Sequence, residues 1–238
     1  VERIFAADSI RKVYGTRTVL SVASVWAAPG VVTVLFGRNG CGKSTLLKVG
    51  AGLVAADGGA VHFRGRAYLR PRLHRLAADG LFYLPDAGLL SPRLTLADHL
   101  GALHRRFGAV LSDEDAAELE VAPLLDRAVH QLSGGETRRA EVAVAVARGP
   151  VCLLADEPFA GIAPADVERL ARVFRRMAAR GCALVVTGHE VPELLGLADE
   201  VVWMTGGTTY GMGTAAQAET HEQFRRDYLG PGRPTIRR

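Results

Sequence analysis

Apolar residues fall along this 238-residue chain in two rhythms. Residues 31–36, Val-Val-Thr-Val-Leu-Phe, form an unbroken run of strand length, the pattern of a strand buried on both faces. Residues 151–155, 183–187 and 201–205 repeat it. Between these runs the period changes. Ala140, Ala143, Val144 and Ala147 stand at i, i+3, i+4 and i+7, one face of a helix, which Pro150 stops. Pro164 marks the first turn of another helix that runs to Ala179, and a shorter helix is expected over 43–50. Strands alternating with helices predict an α/β fold on a parallel sheet.

Other segments depart from that alternation. Residues 3–13 and 18–26 read as strands around a turn at Gly15. Residues 60–64, after the Asp57-Gly58-Gly59 turn, and 81–84 read as two more. In 86–132 the character shifts. Leu96, Leu100 and Leu103 have helical spacing, and Ser112-Asp113-Glu114 is a helix start with acid in the first turn. This reads as a short helical insertion. Residues 215–229 read as an exposed terminal helix.

Composition narrows the class. Apolar residues make up 48% of the chain, enough for a sizeable core. No apolar run approaches the ~20 residues of a membrane helix. No charged stretch followed by an apolar one opens the chain, so no secretory signal is expected. The net charge of +4 is modest. It reads first as a basic surface bias, and second as attraction to anionic headgroups. No basic-aromatic patch or recognition motif points to nucleic acid. Cys41, Cys152 and Cys182 form no metal-ligand spacing and no disulfide framework, which suits a reducing compartment.

Candidate chemistry sits at the ends of the apolar runs. Gly37-Arg38-Asn39-Gly40-Cys41-Gly42-Lys43-Ser44, followed by Thr45, matches G-x-x-x-x-G-K-S between a buried strand and a helix. Glycines let the backbone turn its N–H groups onto phosphate oxygens, and the helix N-terminus adds partial positive charge. Lys43 supplies a charge to the β and γ phosphates, and Ser44 a hydroxyl to Mg²⁺. Alone, this motif says only nucleoside triphosphate. Lys43 is one of three lysines and Asn39 the sole asparagine, so their meeting in one loop is suggestive. The run 151–155 delivers Asp156 and Glu157 to the sheet's C-terminal edge. There Asp156 suits Mg²⁺, and Glu157 suits polarising a water. Leu132-Ser133-Gly134-Gly135-Glu136 opens a helix with Ser133 as N-cap, a geometry that holds an anion as readily as it caps.

These three motifs in this order resemble the nucleotide-binding subunit of an ATP-binding cassette (ABC) transporter along nearly the whole chain. The resemblance implies a P-loop NTPase (RecA-like) core with an antiparallel β subdomain, over 1–85 and 133–238. A helical subdomain would span 86–132. It implies ATP and Mg²⁺ as cofactors. It also implies a head-to-tail dimer, in which Ser133, Gly134 and Gly135 contact the γ-phosphate held by a second subunit. Glu136 takes the place of the family's last-position Gln. Tyr14 matches the aromatic that stacks on adenine, although a tyrosine filling a strand end competes with that reading. His189, in Val186-Thr187-Gly188-His189-Glu190, matches the switch histidine, catalytic beside Glu157. A separate membrane permease and a place on the inner face of the cell membrane are implied too. Tyr83-Leu84-Pro85, Phe159-Ala160-Gly161-Ile162 and Tyr228-Leu229-Gly230 are similar to the ATPases of branched-chain amino acid import and lipopolysaccharide export.

Two positions depart from that pattern. After Pro85 the family has Gln, which senses Mg²⁺ and water; this chain has Asp86. An Asp can ligand Mg²⁺ but cannot donate from an amide. After Ile162 the family has Asp; this chain has Ala163. Two readings stay open: a self-sufficient transport motor, and a nucleotide-binding half of a heterodimer with little turnover. Non-transport relatives carry tandem cassettes or long coiled coils, and this chain has neither.

Overall fold

The computed structural model describes residues 2–189 and 191–226. A hairpin of β1 (Phe5–Tyr14) and β2 (Arg17–Ala27) precedes β3 (Val32–Gly37), which leads through a glycine loop into α1 (Lys43–Gly50). Next come β4 (Gly58–Phe63), β5 (Arg66–Tyr68), α2 (Leu73–Ala78) and β6 (Leu81–Leu84). After α3 (Leu96–Phe107) and α4 (Asp113–Glu118), two 3-10 turns lead to α5 (Gly134–Arg148). The chain continues through β7 (Cys152–Ala155), α6 (Pro164–Ala179), β8 (Ala183–Gly188), α7 (Val191–Leu197), β9 (Glu200–Thr205) and β10 (Thr208–Gly213). The short helices α8 (Ala215–Thr220) and α9 (Glu222–Phe224) follow.

One sheet of ten strands runs in the order β5-β4-β1-β2-β10-β9-β3-β8-β7-β6. From β9 to β6 the pairs are parallel. From β5 to β2 they are antiparallel, and β10 joins the two halves through a single parallel bridge between Thr208 and Val22. The expected α/β class with antiparallel strands beside a parallel core is thus present.

The apolar runs are continuous because both faces of the parallel half are covered. Val32, Val34 and Phe36 face a cluster with Leu153, Leu184, Val186 and helices α5 and α6. Leu35, Leu154 and Val185 face the opposite cluster, with Leu46 and Leu47 of α1. Alternation by two therefore divides each strand between two cores. On α5 more is buried than one face: Val142, Ala145 and Val146 join the periodic set. The helix lies inside the protein rather than on it.

The terminal helix needs correction. Residues 215–226 form two short helices broken at His221, whose side chain caps the second. Most of their residues are exposed, as expected, but the segment is held down at Ala218 and Phe224. Phe224 is fully buried and packs edge-on against Phe36 and Trp203, with centroids 5.6 and 6.2 Å away. One buried aromatic anchors the segment, and a single residue gives no periodicity to read. Residues 227–229 of that expected helix, Tyr228-Leu229-Gly230 and Glu190 lie outside the described residues. β5, α2, α7 and β10 are additions; each is short, so no period had room to show.

In the 86–132 stretch, α3 starts on a Thr95 capping box and α4 on Ser112. Asp115 of α4 is buried against α6, where Arg176 Nε and Arg180 Nη1 donate to it at 2.9 and 2.6 Å. Burial alone would raise this carboxyl, but hydrogen bonds from Arg180, Ser112 and Arg176 outweigh it and hold Asp115 below the usual carboxylate range. A lowered folded-state value stabilises the fold above the unfolded value near 3.8, and the gain disappears as pH falls through the folded value. Asp115→Asn is expected to cost about 2 kcal/mol at neutral pH. Urea unfolding of both proteins from pH 7 downward should show the gap narrowing below pH ~4. A gap independent of pH would show that the charge contributes nothing.

Candidate nucleotide site

Four parallel strands end at one edge of the sheet. Phe36 of β3 is level with Gly188 of β8, Ala155 of β7 with Val186, and Leu84 of β6 with Ala155. Within two residues of its end each strand reaches a polar residue, so the loop 38–42, Asp86, Asp156, Glu157 and His189 emerge side by side.

The glycine loop fits only glycine at two points. Gly42 enters α1 at φ 114°, and a Cβ there would meet Leu20 at 2.8 Å and Met204 at 2.9 Å. At Gly37 a Cβ would meet Cys41 Sγ and, at 2.9 Å, the carbonyl oxygen of Met204. No side chain caps α1, so its first N–H groups face the loop. Burial pushes the Cys41 thiol up, against the pull of Lys43, so it is an uncharged filler beneath the turn.

Asp156 is the node of the site. It is fully buried, Thr187 Oγ1 and Ser44 Oγ donate to its Oδ1 at 2.8 and 3.0 Å, and Tyr83 donates to its Oδ2 at 3.1 Å. Burial raises its carboxyl, and these three donors pull the other way. The Tyr83 hydroxyl is itself pushed up, by burial and by the charge of Asp156.

Glu157 follows with φ 43°, a left-handed backbone uncommon for a residue with a side chain. Its N–H is held by Thr187 Oγ1 at 2.9 Å. Its carboxylate meets Lys43 Nζ at 3.1 Å and lies 3.5 Å from His189 Nδ1. Lys43 also donates to the Gly37 carbonyl at 2.7 Å and is buried. One carboxylate thus links the loop lysine to the histidine after β8.

A cleft of about 390 Å³ opens over these groups, lined by Arg17, Val19, Asn39, Gly40, Gly42, Lys43, Ser44, Thr45, Asp86 and Glu157. A larger cavity between α7 and α8 contains none of them. Tyr14 does not line the cleft. It ends β1, half exposed, with Lys12 Nζ 5.2 Å over its ring, and pairs with Arg17. Its hairpin flanks the cleft, and Arg17 rather than Tyr14 reaches the wall.

Ser133, Gly134, Gly135 and Glu136 do not line it either. They open α5 in a reciprocal capping box: Ser133 Oγ accepts from the Glu136 N–H at 3.3 Å, and Glu136 accepts from the Ser133 N–H at 2.8 Å. That bond and Arg127 at 2.7 Å hold the Glu136 carboxyl down at about 2. Further along α5, Arg138 donates to the carbonyls of Pro85 and Asp86 and pairs with buried Glu141 at 3.0 Å. Glu141 accepts from the Leu89 N–H at 3.1 Å. The loop carrying Asp86 is therefore tied to the helix that Ser133 caps. Ala163 caps α6 without a side-chain bond.

Sequence reading missed Tyr83, Thr187 and Arg17 as parts of this region. A hydroxyl closing the otherwise apolar run 183–187 was the available signal for Thr187. For Tyr83 the contact depends on β6 lying beside β7, which no local pattern states.

The chemistry of the donors suits a nucleotide and a hard cation. Oxygen ligands from Ser44 and Asp156 are of the kind Mg²⁺ takes together with phosphate oxygens. Among the described residues no cluster of three or more His, Cys, Asp or Glu is disposed to hold a metal ion. Tyr83→Phe removes one donor from Asp156, and Thr187→Val removes a donor and the acceptor of the Glu157 N–H. Expected losses are about 1 kcal/mol for the first and about 2 for the second. Urea unfolding without nucleotide checks that order; equal stability of all three proteins would deny Asp156 its role as the node.

Comparison with known proteins agrees with this geometry. The profile of the ABC transporter family matches residues 20–160. The lipopolysaccharide export system ATP-binding protein LptB of Acidithiobacillus ferridurans is 33% identical over 236 residues, covering 97% of this chain and 98% of that protein. A probable ABC transporter ATP-binding protein of Azorhizobium caulinodans is 34% identical, covering 96% of this chain and 84% of its own length. Among solved structures, the ADP conformation of an ABC transporter's ATP-binding cassette superposes with a TM-score of 0.81 at 23% identity, over 97% of this chain and all of that one, a likeness of fold. The chain belongs to the ABC transporter family as one of its ATP-binding subunits, an ATP hydrolase of that class.

Proposed function

We propose that this chain is the motor of a transporter whose membrane-spanning part is a separate permease. Two ATPase subunits close head-to-tail on two Mg-ATP, at the inner face of the membrane. The observation that carries this reading is the separation of two phosphate-binding devices. The glycine loop and Asp156–Glu157 build one cleft, and the Ser133 end of α5 is outside it. A device displayed away from its own cleft serves a second copy or a related subunit. No helix among the described residues is long and apolar enough to cross a membrane.

Within the cleft each residue has a task. Backbone N–H groups of residues 37–45, Arg38, Asn39 and Cys41 among them, and the end of α1 take the phosphates, and Tyr14, outside the cleft wall on the hairpin that flanks it, takes the adenine as the nucleotide extends past Arg17. Lys43 leaves Glu157 for the β and γ phosphates, which frees that carboxylate to polarise the attacking water. His189 orients Glu157 and the γ-phosphate. Ser44, Asp156 and Asp86 would hold Mg²⁺, which would supply positive charge to the phosphates. Ser133, Gly134, Gly135 and Glu136 of the second subunit complete the site. The helical subdomain over 86–132 moves with α5, because Arg138 ties the Asp86 loop to it.

Steady-state Mg-ATP hydrolysis by the purified chain and by Glu157→Gln tests the proposal. Turnover in the first that falls at least 100-fold in the second is expected. ATP binding without turnover in either protein would replace the motor with the heterodimer reading.

Asp86 and Ala163 favour that second reading. Asp86 puts an anionic carboxylate, without an amide donor, into the cleft wall. Ala163 leaves α6 uncapped and removes a carboxylate from the loop after Gly161. Asp86→Gln with Ala163→Asp is expected to raise turnover several-fold. Ala163→Asp alone, by capping α6, should add about 1 kcal/mol of stability. Unchanged turnover in the double variant would clear both positions of limiting the rate.

A further inference from the structure

Charge is unevenly placed on this chain. It holds 29 basic and 25 acidic residues, and the stretch 62–75 alone holds five arginines, two histidines and no acid. Setting those five arginines aside leaves 24 basic residues against 25 acidic ones. These fourteen residues carry a net +5, against +4 for the whole chain.

That ribbon lies at the free edge of the sheet, where β5 is the last strand, and it continues through 69–72 into α2. Arg64, Arg66, Arg70, Arg72 and Arg75 are all exposed. Among the described residues none of the five makes an ion pair. Several arginines elsewhere are neutralised, among them Arg138 by Glu141, Arg175 by Asp199 and Arg180 by Asp115. Arg64 gives an N–H to the Asp79 carbonyl at 3.1 Å, which ties the hairpin tip to the end of α2 and leaves its charge uncompensated.

Two leucines stand out among these arginines. Leu69 is 75% exposed and Leu53 48%. Gly52 packs on the backbone of Pro71 and Arg72, where an added Cβ would come within 2.9 Å, and this brings Leu53 beside the turn that carries Leu69 and Arg70.

We infer that this edge, from β5 through the 69–72 turn to α2, is a docking surface for the anionic headgroups of a membrane. Unpaired arginines within a Debye length of such a surface each strengthen binding roughly fivefold. Exposed leucines beside them can enter the headgroup layer, as apolar side chains do in interfacial segments. A single-stranded nucleic acid fits less well, because it needs exposed aromatic platforms. Phe63 is buried, and the Tyr68 hydroxyl is turned to Asp79 at 3.5 Å. The inference extends the reading of a subunit at a membrane, adding a contact that the permease does not supply.

The test is sedimentation of the purified chain with vesicles of phosphatidylcholine, with and without about one third phosphatidylglycerol, at low and high salt. Binding to the anionic vesicles alone, weakened by salt, is expected. Arg66→Gln/Arg70→Gln/Arg72→Gln should lose it by on the order of 100-fold. Arg93→Gln/Arg105→Gln/Arg225→Gln, with the same net charge, should keep it. Leu69→Ser should reduce it further in the presence of salt. Equal binding to neutral vesicles, equal loss in the control triple, or tighter binding to a DNA duplex than to the vesicles would each overturn the inference. Mg-ATP turnover is measured on the same samples. Vesicle binding without turnover would sink the motor reading and leave this surface standing, and turnover without vesicle binding would do the reverse.

Discussion

A buried carboxylate sets the arrangement of this protein's site. Asp156 sits at the end of β7 with no exposure to water, and an unpaired charge there would be costly. Its three donors come from three other segments: Ser44 from α1, Tyr83 from β6 and Thr187 from β8. Satisfying one residue thus holds the P-loop helix and three strands in register. Thr187 does more, because its hydroxyl oxygen also accepts the N–H of Glu157 and so supports the left-handed backbone that points that carboxylate toward Lys43 and His189.

The same logic extends to α5 through a second buried pair. Arg138 and Glu141 are both nearly inaccessible, and between them they hold two carbonyls and one N–H of the loop after β6. Burial pushes the Glu141 carboxyl up, and the charge of Arg138 opposes that shift. A buried pair of this kind adds little net stability, but losing one partner strands the other. It makes a rigid link between the loop that carries Asp86 and the helix capped by Ser133. Those are the two places where, in the proposed cycle, the nucleotide and the second subunit are felt.

Arginine serves two ends in this chain. On α5 and α6 it is paired with acids and cements α4 against α6. Along β5 and α2 it is left unpaired beside two exposed leucines. The first use stabilises the fold, and the second leaves a surface with charge to offer.

Local pattern was sufficient for much of this. The continuous apolar runs named the buried strands because both faces of a parallel sheet are covered. G-x-x-x-x-G-K-S between a strand and a helix named the phosphate loop, because glycines that must adopt φ above zero or touch neighbouring backbone tolerate no substitute. Ser133 and Glu136 named a helix start, since a capping box is complete within four residues. What local pattern lacked was adjacency. Tyr83 lies 73 residues from Asp156 and meets it only because β6 is laid beside β7. Arg17 rather than Tyr14 reaches the cleft wall because of how the β1–β2 hairpin approaches the loop. Phe224 turned an expected exposed helix into an anchored one by a single contact with Phe36 and Trp203. Chemistry carried by consecutive residues is written in the sequence, whereas chemistry shared between strand ends exists only once long-range packing has set which strands are neighbours.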